Sequence, residues 1–183
     1  MQNHEDARGD IVLIERIVAR DEAAVAELYD RHCRLLFGLI LRIIRDRSEA
    51  EEILQEVFVL VWTRAQTYNV SLGPPAAWLV RVARNRAIDR LRARGRRIMT
   101  PLDTIGEPAD ESASALDCMI ETEGETRIEY CLGRLSDGDA TLIRTAFYEG
   151  ATYSELAERS RQPLGTIKSR IRRAFLKLRE CLG

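Results

Sequence analysis

GTIKSRIRRA occupies residues 165–174 and is the most informative stretch of this 183-residue chain. Upstream of it, Thr152 and Glu155 have the Ser/Thr-x-x-Glu spacing of a capping box, which marks the start of a helix. The pattern predicts a short helix over residues 153–160, a turn over 161–164 and a second helix from 165 or 166 to about 181. This is the plan of a helix-turn-helix, whose second helix lies in the major groove of DNA.

The second helix of this motif is strongly basic. Eight basic and no acidic side chains lie between residues 159 and 179, although the net charge of the chain is only -1. Such a local positive field attracts a phosphate backbone, whereas a merely solvated amphipathic helix is the weaker alternative. The predicted duplex contacts are Thr166, Lys168, Ser169, Arg170, Arg172, Arg173 and Lys177.

Apolar residues recur at three- and four-residue steps almost throughout the chain, and no alternating strand pattern is present. We therefore expect an all-α protein. Residues 1–92 have no net charge, residues 93–97 add three arginines, residues 98–127 have a net charge of -7, and residues 128–183 a net charge of +3. This distribution predicts two small helical domains, 1–97 and 125–183, joined by a flexible acidic linker at 98–124 in which residues 115–121 could form a short helix.

The cysteines and histidines give no support for a metal site or cofactor. The four cysteines, at 33, 118, 131 and 181, lack CxxC spacing, and only His4 and His32 accompany them. We expect reduced thiols, with redox sensing by Cys118 or Cys131 as the alternative. His32 lies in an apolar stripe, which favours a hydrogen-bonded core or boundary histidine over a metal ligand.

The polar amino terminus lacks the apolar core of a signal peptide, and no run approaches the length of a membrane span. These observations predict a cytoplasmic protein without membrane insertion.

A helix predicted over residues 48–64 has one apolar and one acidic face. Ser48 and Glu51 have capping-box spacing at its start. The acidic face carries Glu49, Glu52, Gln55 and Glu56. It is either a solvated surface or a docking surface for a partner, and the residues alone do not separate the two.

A loop and an arginine-rich helix follow. Gly73, Pro74 and Pro75 interrupt the helical pattern, so residues 68–75 are predicted to be a loop. The next helix starts near residue 76 and carries eight arginines between residues 81 and 97 against one acid, Asp89. Positive charge beside aromatic Trp78 suits a single strand, although Trp78 near a helix start equally fits a core position.

Three segments, in this order, resemble motifs of bacterial sigma factors of the extracytoplasmic-function (ECF) group of the sigma-70 family. DRSEAEEILQEVF at 46–58 is similar to the helix that binds core RNA polymerase. AWLVRVARNRAID at 77–89 resembles the promoter-melting segment, and LGTIKSRIRRA at 164–174 resembles the helix that contacts the minus-35 element.

The resemblance implies two helical domains, sigma regions 2 and 4, which bind RNA polymerase core and promoter DNA under the control of a separate anti-sigma factor. Region 2 would capture a flipped base of the minus-10 element, whose extrusion costs a few kcal/mol. The acidic linker would thread the RNA exit path of the polymerase. The implied minus-10 contacts are Tyr68, Asn69, Ser71, Trp78, Arg81, Arg84, Asn85 and Arg92. The implied core contacts are Asp46, Glu49, Glu52, Gln55 and Glu56.

Other function classes fit less of the chain. A DNA-binding repressor would use only the carboxy-terminal helices and leave residues 46–92 without a role. An enzyme would need a nucleophile–base set, a phosphate-binding glycine loop or a carboxylate pair, and none is present in the sequence. A pure interaction protein would leave the arginine-rich helix unexplained.

Overall fold

The computed structural model describes residues 2–96 and 124–182, and the side chains of residues 7–94 and 128–182. These ranges contain eight α-helices and no strand, which confirms the all-α prediction. In the first part, α1 is Gln2–Val18, α2 is Glu22–Ile44, α3 is Arg47–Arg64 and α4 is Pro75–Arg96. In the second, α5 is Gly124–Gly133, α6 is Asp137–Tyr148, α7 is Tyr153–Ser160 and α8 is Leu164–Leu182.

The described helices form two compact units, α1–α4 and α5–α8. The predicted linker at 98–124, its short helix at 115–121 and Cys118 lie outside the residues that the structure describes.

In the first unit, α2 is the central helix and packs against α1, α3 and α4. Much of the apolar stripe that includes His32 lies in the core, since Leu28, Leu36 and Ile40 are fully buried, whereas Tyr29 of the same stripe is 39% exposed. His32 lies at the edge of this stripe with a side chain 13% exposed and is hydrogen-bonded to Asp10, as expected for a boundary histidine.

The helix starts show where capping was predicted correctly and where it was not. The Thr152–Glu155 capping box is present in full and begins α7. The predicted capping box at Ser48 is wrong. Asp46, in an extended conformation, accepts a hydrogen bond from the Glu49 N–H at 3.0 Å, so α3 already begins at Arg47. Aspartate and serine are both good N-caps, and the backbone geometry here selects Asp46.

In the second unit, α8 packs against α5, α6 and α7. Gly150 follows α6 with a φ of 65°, the left-handed conformation that glycine adopts easily after a helix. Arg161 has a φ of 53° and forms the turn between α7 and α8. In this turn its backbone N–H bonds to carbonyls at the end of α7.

A disulfide joins Cys131 of α5 to Cys181 of α8, with 5.9 Å between the two Cα atoms. The expectation of reduced thiols is therefore wrong for these two residues. Fifty residues separate them in sequence, so only the packing of α5 on α8 brings them together. Among the described residues, Cys33 is the one free cysteine.

Each helix in the described part of the chain is too short or too polar to span a lipid bilayer. The same residues contain no group of three or more His, Cys, Asp or Glu side chains placed to hold a metal ion.

Candidate nucleic-acid interface

The outward face of α8 carries several cations. Ile167, Ile171 and Ala174 face the core and are at most 2% exposed. On the opposite side Lys168, Arg172 and Arg173 are exposed. No described carboxylate forms an ion pair with any of these three. The positive charge of this face is therefore not neutralised by described acids of its own unit.

Arg170, also predicted to contact DNA, is positioned differently. Its side chain is 22% exposed and binds Asp139 of α6 at 2.8 Å, and it donates to Gln162 Oε1 in the turn at 2.9 Å. A Cβ at Gly138 would lie 2.9 Å from Arg170, so this glycine leaves room for the guanidinium. Arg170 thus joins α8 to α6 and to the turn.

The carboxyl group of Asp139 is affected by its surroundings in two opposite ways. Burial acts to raise its pKa, but hydrogen bonds from Ser136 and Arg170, together with the charges of Arg170 and Lys177, hold the pKa below its usual value. Asp139 is therefore kept ionised as the partner of Arg170.

The remaining predicted contacts in α8, Thr166, Ser169 and Lys177, are exposed.

Most acids on the acidic face of α3 are paired with arginines of α4. The face is therefore neither a fully solvated surface nor one fully available to a partner. Arg86 and Arg90 of α4 bind Glu56 at 2.5 Å and 2.9 Å, and Arg90 lies 3.4 Å from Glu52. Farther along, Arg94 forms an ion pair with Glu49. The hydrogen bond from Arg86 is the main cause that lowers the pKa of Glu56. Three of the predicted polymerase contacts are thus neutralised within the unit, and Asp46 serves as the N-cap of α3.

A shallow groove remains beside these ion pairs. It is lined by Glu52, Gln55, Glu56, Val59, Leu60 and Arg86. Gln55 is exposed, and Val59 is 62% exposed. Sequence reasoning missed Val59, although its place four residues after Gln55 puts both on one face of α3.

The arginines of α4 divide into two faces of the helix. Positions 86, 90 and 94 recur at four-residue steps and meet the acids of α3. Arg81, Asn85 and Arg92 lie on the opposite side, at 3.6 residues per turn. Arg84 donates to Asn85 Oδ1 at 3.4 Å. The complementary spacing of acids at 49, 52 and 56 was the signal that could have separated the two sets.

The loop before α4 is closed by its first residue. The Tyr68 hydroxyl donates to the Gly73 carbonyl at 3.0 Å, and Asn69 Oδ1 accepts from both the N–H and the hydroxyl of Ser71. Gly73 has a φ of 127°, which side chains rarely allow. Val70 and Leu72 project outward, 63% and 58% exposed.

Trp78 is 7% exposed, and its ring centroid lies 5.7 Å from that of Tyr68. Of its two roles left open by the sequence, this placement favours the core position. The candidate surface for a single strand therefore consists of the loop and of the face of α4 that carries Arg81, Asn85 and Arg92.

Two family models match this chain. The family model described as Sigma-70 region 2 matches residues 28–97, and the one described as Sigma-70, region 4 matches residues 131–180. The chain is 37% identical over 176 residues to the ECF RNA polymerase sigma factor SigK of Mycobacterium sp. (strain KMS), covering 94% of this chain and 90% of that protein. It is 36% identical over 173 residues to the protein of the same name from Mycobacterium tuberculosis, with coverages of 93% and 91%.

Among solved structures, the chain is similar to Rhodobacter sphaeroides SigE, crystallised in complex with the anti-sigma ChrR. The identity is 32%, the TM-score is 0.49, and the match covers 93% of this chain and 96% of that one.

Proposed function

This chain belongs to the ECF sigma factors of the sigma-70 family, and we propose that it divides promoter recognition between α8 and the loop–α4 surface. As a member of this family it is a transcription initiation factor that binds RNA polymerase core and directs initiation at specific promoters. The proposal concerns which residues carry each step.

The outward face of α8 contacts the minus-35 duplex. Thr166, Lys168 and Ser169 lie in the first turn and a half, where side chains reach base edges. Arg172 and Arg173 follow one turn later. A bidentate arginine–guanine contact is worth about 1–3 kcal/mol against the wrong base. Arg170 acts indirectly, because its guanidinium is already bound to Asp139 and Gln162.

The loop over residues 69–73 receives the flipped base of the minus-10 element, and α4 holds the strand. Asn69 and Ser71 lie in the loop, and the outer face of α4 supplies Arg81, Arg84, Asn85 and Arg92. The absence of charged residues from this loop leaves hydrogen bonding and apolar contact from Val70 and Leu72 to select the base.

The groove on α3 binds core polymerase. Glu49, Glu52 and Glu56 are paired with arginines of α4. We therefore expect Gln55 and Val59 to contribute more to the free energy of core binding than these three carboxylates do. We further propose that the protein acts in the cytoplasm without catalysing a reaction or carrying a cofactor. An anti-sigma factor would hold it inactive by covering the α3 groove and α8.

The observation that carries the proposal is that Lys168, Arg172 and Arg173 of α8 have no ion-pair partner among the described residues, whereas the acids of α3 are paired within their own unit. Its test is run-off transcription with core polymerase, with and without the protein, on fragments of the genome that encodes it. New start sites that share two upstream elements support it. Duplex binding by the protein alone, without initiation, would instead support a repressor.

Two variants, one single and one double, separate the proposed surfaces, and each is the control for the other. Arg172→Ala should weaken initiation at the mapped promoters about 5- to 150-fold, which corresponds to about 1–3 kcal/mol, and leave core affinity unchanged. Gln55→Ala combined with Val59→Ala should lower core affinity and leave promoter preference unchanged. The reverse result, measured by core titration and run-off assays, would exchange the two assignments.

A further inference from the structure

The lysines of this chain are confined to α8. Of the 28 lysines and arginines in the sequence, only Lys168 and Lys177 are lysines, and both side chains are exposed. The difference matters chemically, because an arginine guanidinium stays protonated in proteins, whereas an ammonium releases its proton more readily and the neutral amine is a nucleophile. Both side-chain amines that an acylating reagent can modify therefore lie on the helix proposed to contact the minus-35 duplex.

Lys168 has a strongly cationic setting. It lies in the first turn and a half of α8, near the helix end at which the backbone N–H groups carry a partial positive charge. Arg172 follows four residues later on the same side of the helix and is also exposed. Residues 164–172 include no acid, and no carboxylate in the described part of the chain forms an ion pair with Lys168. An anionic reagent is therefore attracted to this amine.

Lys177 is the matched comparison within the same helix. Glu180 lies three residues after it, a spacing at which helical side chains are neighbours, and is exposed. Arg173 lies four residues before it, but Arg173 Nε donates to the Ser169 carbonyl at 3.3 Å. That guanidinium is thus directed toward the turn that holds Lys168. An anionic reagent meets more positive charge at Lys168 than at Lys177.

We propose that Lys168 is an acylation site for an acyl phosphate, such as acetyl phosphate, and that its acylation weakens minus-35 binding. The neutral ε-amine attacks the acyl carbon and forms a C–N bond. The C–O bond to phosphate breaks, phosphate leaves with the electron pair of that bond, and the nitrogen gives one proton to water. Arg172 attracts the phosphate group of the reagent. The resulting amide has no charge, so α8 loses one cation. The effect on binding rests on the proposed contact of Lys168 with the minus-35 duplex.

The first test follows the modification itself. The purified protein is incubated with acetyl phosphate, and acetylation of each lysine is measured over time by peptide mass spectrometry. We expect Lys168 to react about 3- to 10-fold faster than Lys177 at low salt, with a smaller difference in about 1 M salt, which screens the attraction. Arg172→Gln should slow the reaction at Lys168 and leave that at Lys177 unchanged. Equal rates at the two lysines, or no effect of Arg172→Gln, would overturn the assignment.

The second test follows the consequence for transcription. Treated protein, separated from the reagent, is mixed with untreated core polymerase and assayed by run-off transcription at a mapped promoter. Acetylation should weaken initiation at least about 5-fold, the effect of losing one charge-assisted hydrogen bond, and leave core affinity unchanged. Lys168→Arg keeps the positive charge and cannot be acylated, so its treated and untreated samples should initiate equally. Lys177→Arg retains Lys168, and treatment should still inhibit it.

Inhibition of Lys168→Arg as strong as that of the wild-type protein would overturn the switch, as would undiminished initiation by wild-type protein fully acetylated at Lys168. A lower unfolding temperature after treatment would make the loss one of stability and overturn it too. If Lys168→Arg initiates too weakly to compare, Lys177→Arg decides, because its inhibition must follow the acetylated fraction of Lys168. Absence of initiation by untreated wild-type protein would instead contradict the proposed function, which the acetylation rates do not test.

Discussion

Helices α4 and α8 are both rich in arginine, yet they use the charge in opposite ways. In α4, Arg86, Arg90 and Arg94 are bound to acids of α3. In α8, only Arg170 has an ion-pair partner among the described residues, and Lys168, Arg172 and Arg173 face outward. The number of cations on a helix therefore does not define a nucleic-acid surface. The acidic residues of a neighbouring helix determine how many cations stay unpaired and available to a phosphate backbone.

The largest expected effect concerns the attachment of α8. Reducing the Cys131–Cys181 disulfide, or replacing both cysteines by serine, should lower the free energy of unfolding of the second unit by about 2–4 kcal/mol. The first unit has no disulfide among its described residues and should be unaffected. Thermal unfolding with and without reductant would show this as a shift of one transition. An unchanged unfolding curve on reduction would mean that helix packing alone holds α8.

Arg170 and Arg172 are two residues apart and allow a direct test of the comparison within α8. Arg170→Ala should lower the stability of the second unit by about 1–3 kcal/mol, because it leaves Asp139 without its charged partner. Arg172→Ala should change stability by less than about 0.5 kcal/mol and mainly weaken duplex binding. Denaturant titration and promoter binding by the holoenzyme distinguish them. Equal stability losses would show that Arg172 also has a structural role.

Acid should weaken the first unit through Glu56. Arg86 holds the pKa of Glu56 below its ordinary 4.5, so the stabilisation is complete above that value and is lost as pH falls through the lowered pKa. Since the side chain is about one-third exposed, solvent screening limits the contribution to about 0.5–1 kcal/mol. Glu56→Gln should lose this amount at pH 7 and show a shallower decline below pH 4.5. Parallel pH profiles of the two proteins would exclude the ion pair as the cause.

The smallest expected effect is stabilising. Arg161 occupies the left-handed region with a φ of 53°, which is unfavourable for a side chain and easy for glycine. Arg161→Gly should therefore raise the stability of the second unit by about 0.5 kcal/mol after the entropy cost of glycine. Arg45, with a φ of 59° in the first unit, offers the same substitution as a control. A loss of stability at position 161 would mean that the arginine side chain makes a stabilising contact.

Local patterns predicted much of this molecule. The apolar periodicity of α2 predicted most of its buried residues, although Tyr29 is exposed and the buried Ala24 and Ile44 were not predicted. Thr152 and Glu155 predicted the start of α7. Both signals act within one helical turn or one helix face. The N-cap of α3 was predicted wrongly at Ser48 instead of Asp46. Two good capping residues lie close together there, and only the backbone geometry shows which of them begins the helix. The Cys131–Cys181 bond could not be inferred, because it depends on how distant helices pack.

The candidate site was predicted as a list of residues but not as a set of roles. Assigning Arg170 to the helix framework requires knowing that Asp139 lies beside it. Likewise, the division of α4 into two faces depends on its register against α3. The burial of Asp10 gave no signal in sequence, because it depends on how α1 packs in the first unit.

The anchoring of Arg170 has a consequence for engineering. A designer who grafts the helix of another sigma factor in place of α8, to redirect transcription to a synthetic promoter, would transfer the outward residues and disturb the anchor with them. Either Arg170 would have to be retained in the grafted helix, or its partners Asp139 and Gln162, which lie outside α8, would have to be replaced together with the helix. The smallest segment set that can be exchanged to change promoter choice is therefore α8, the residues between α7 and α8, and the first helical turn of α6.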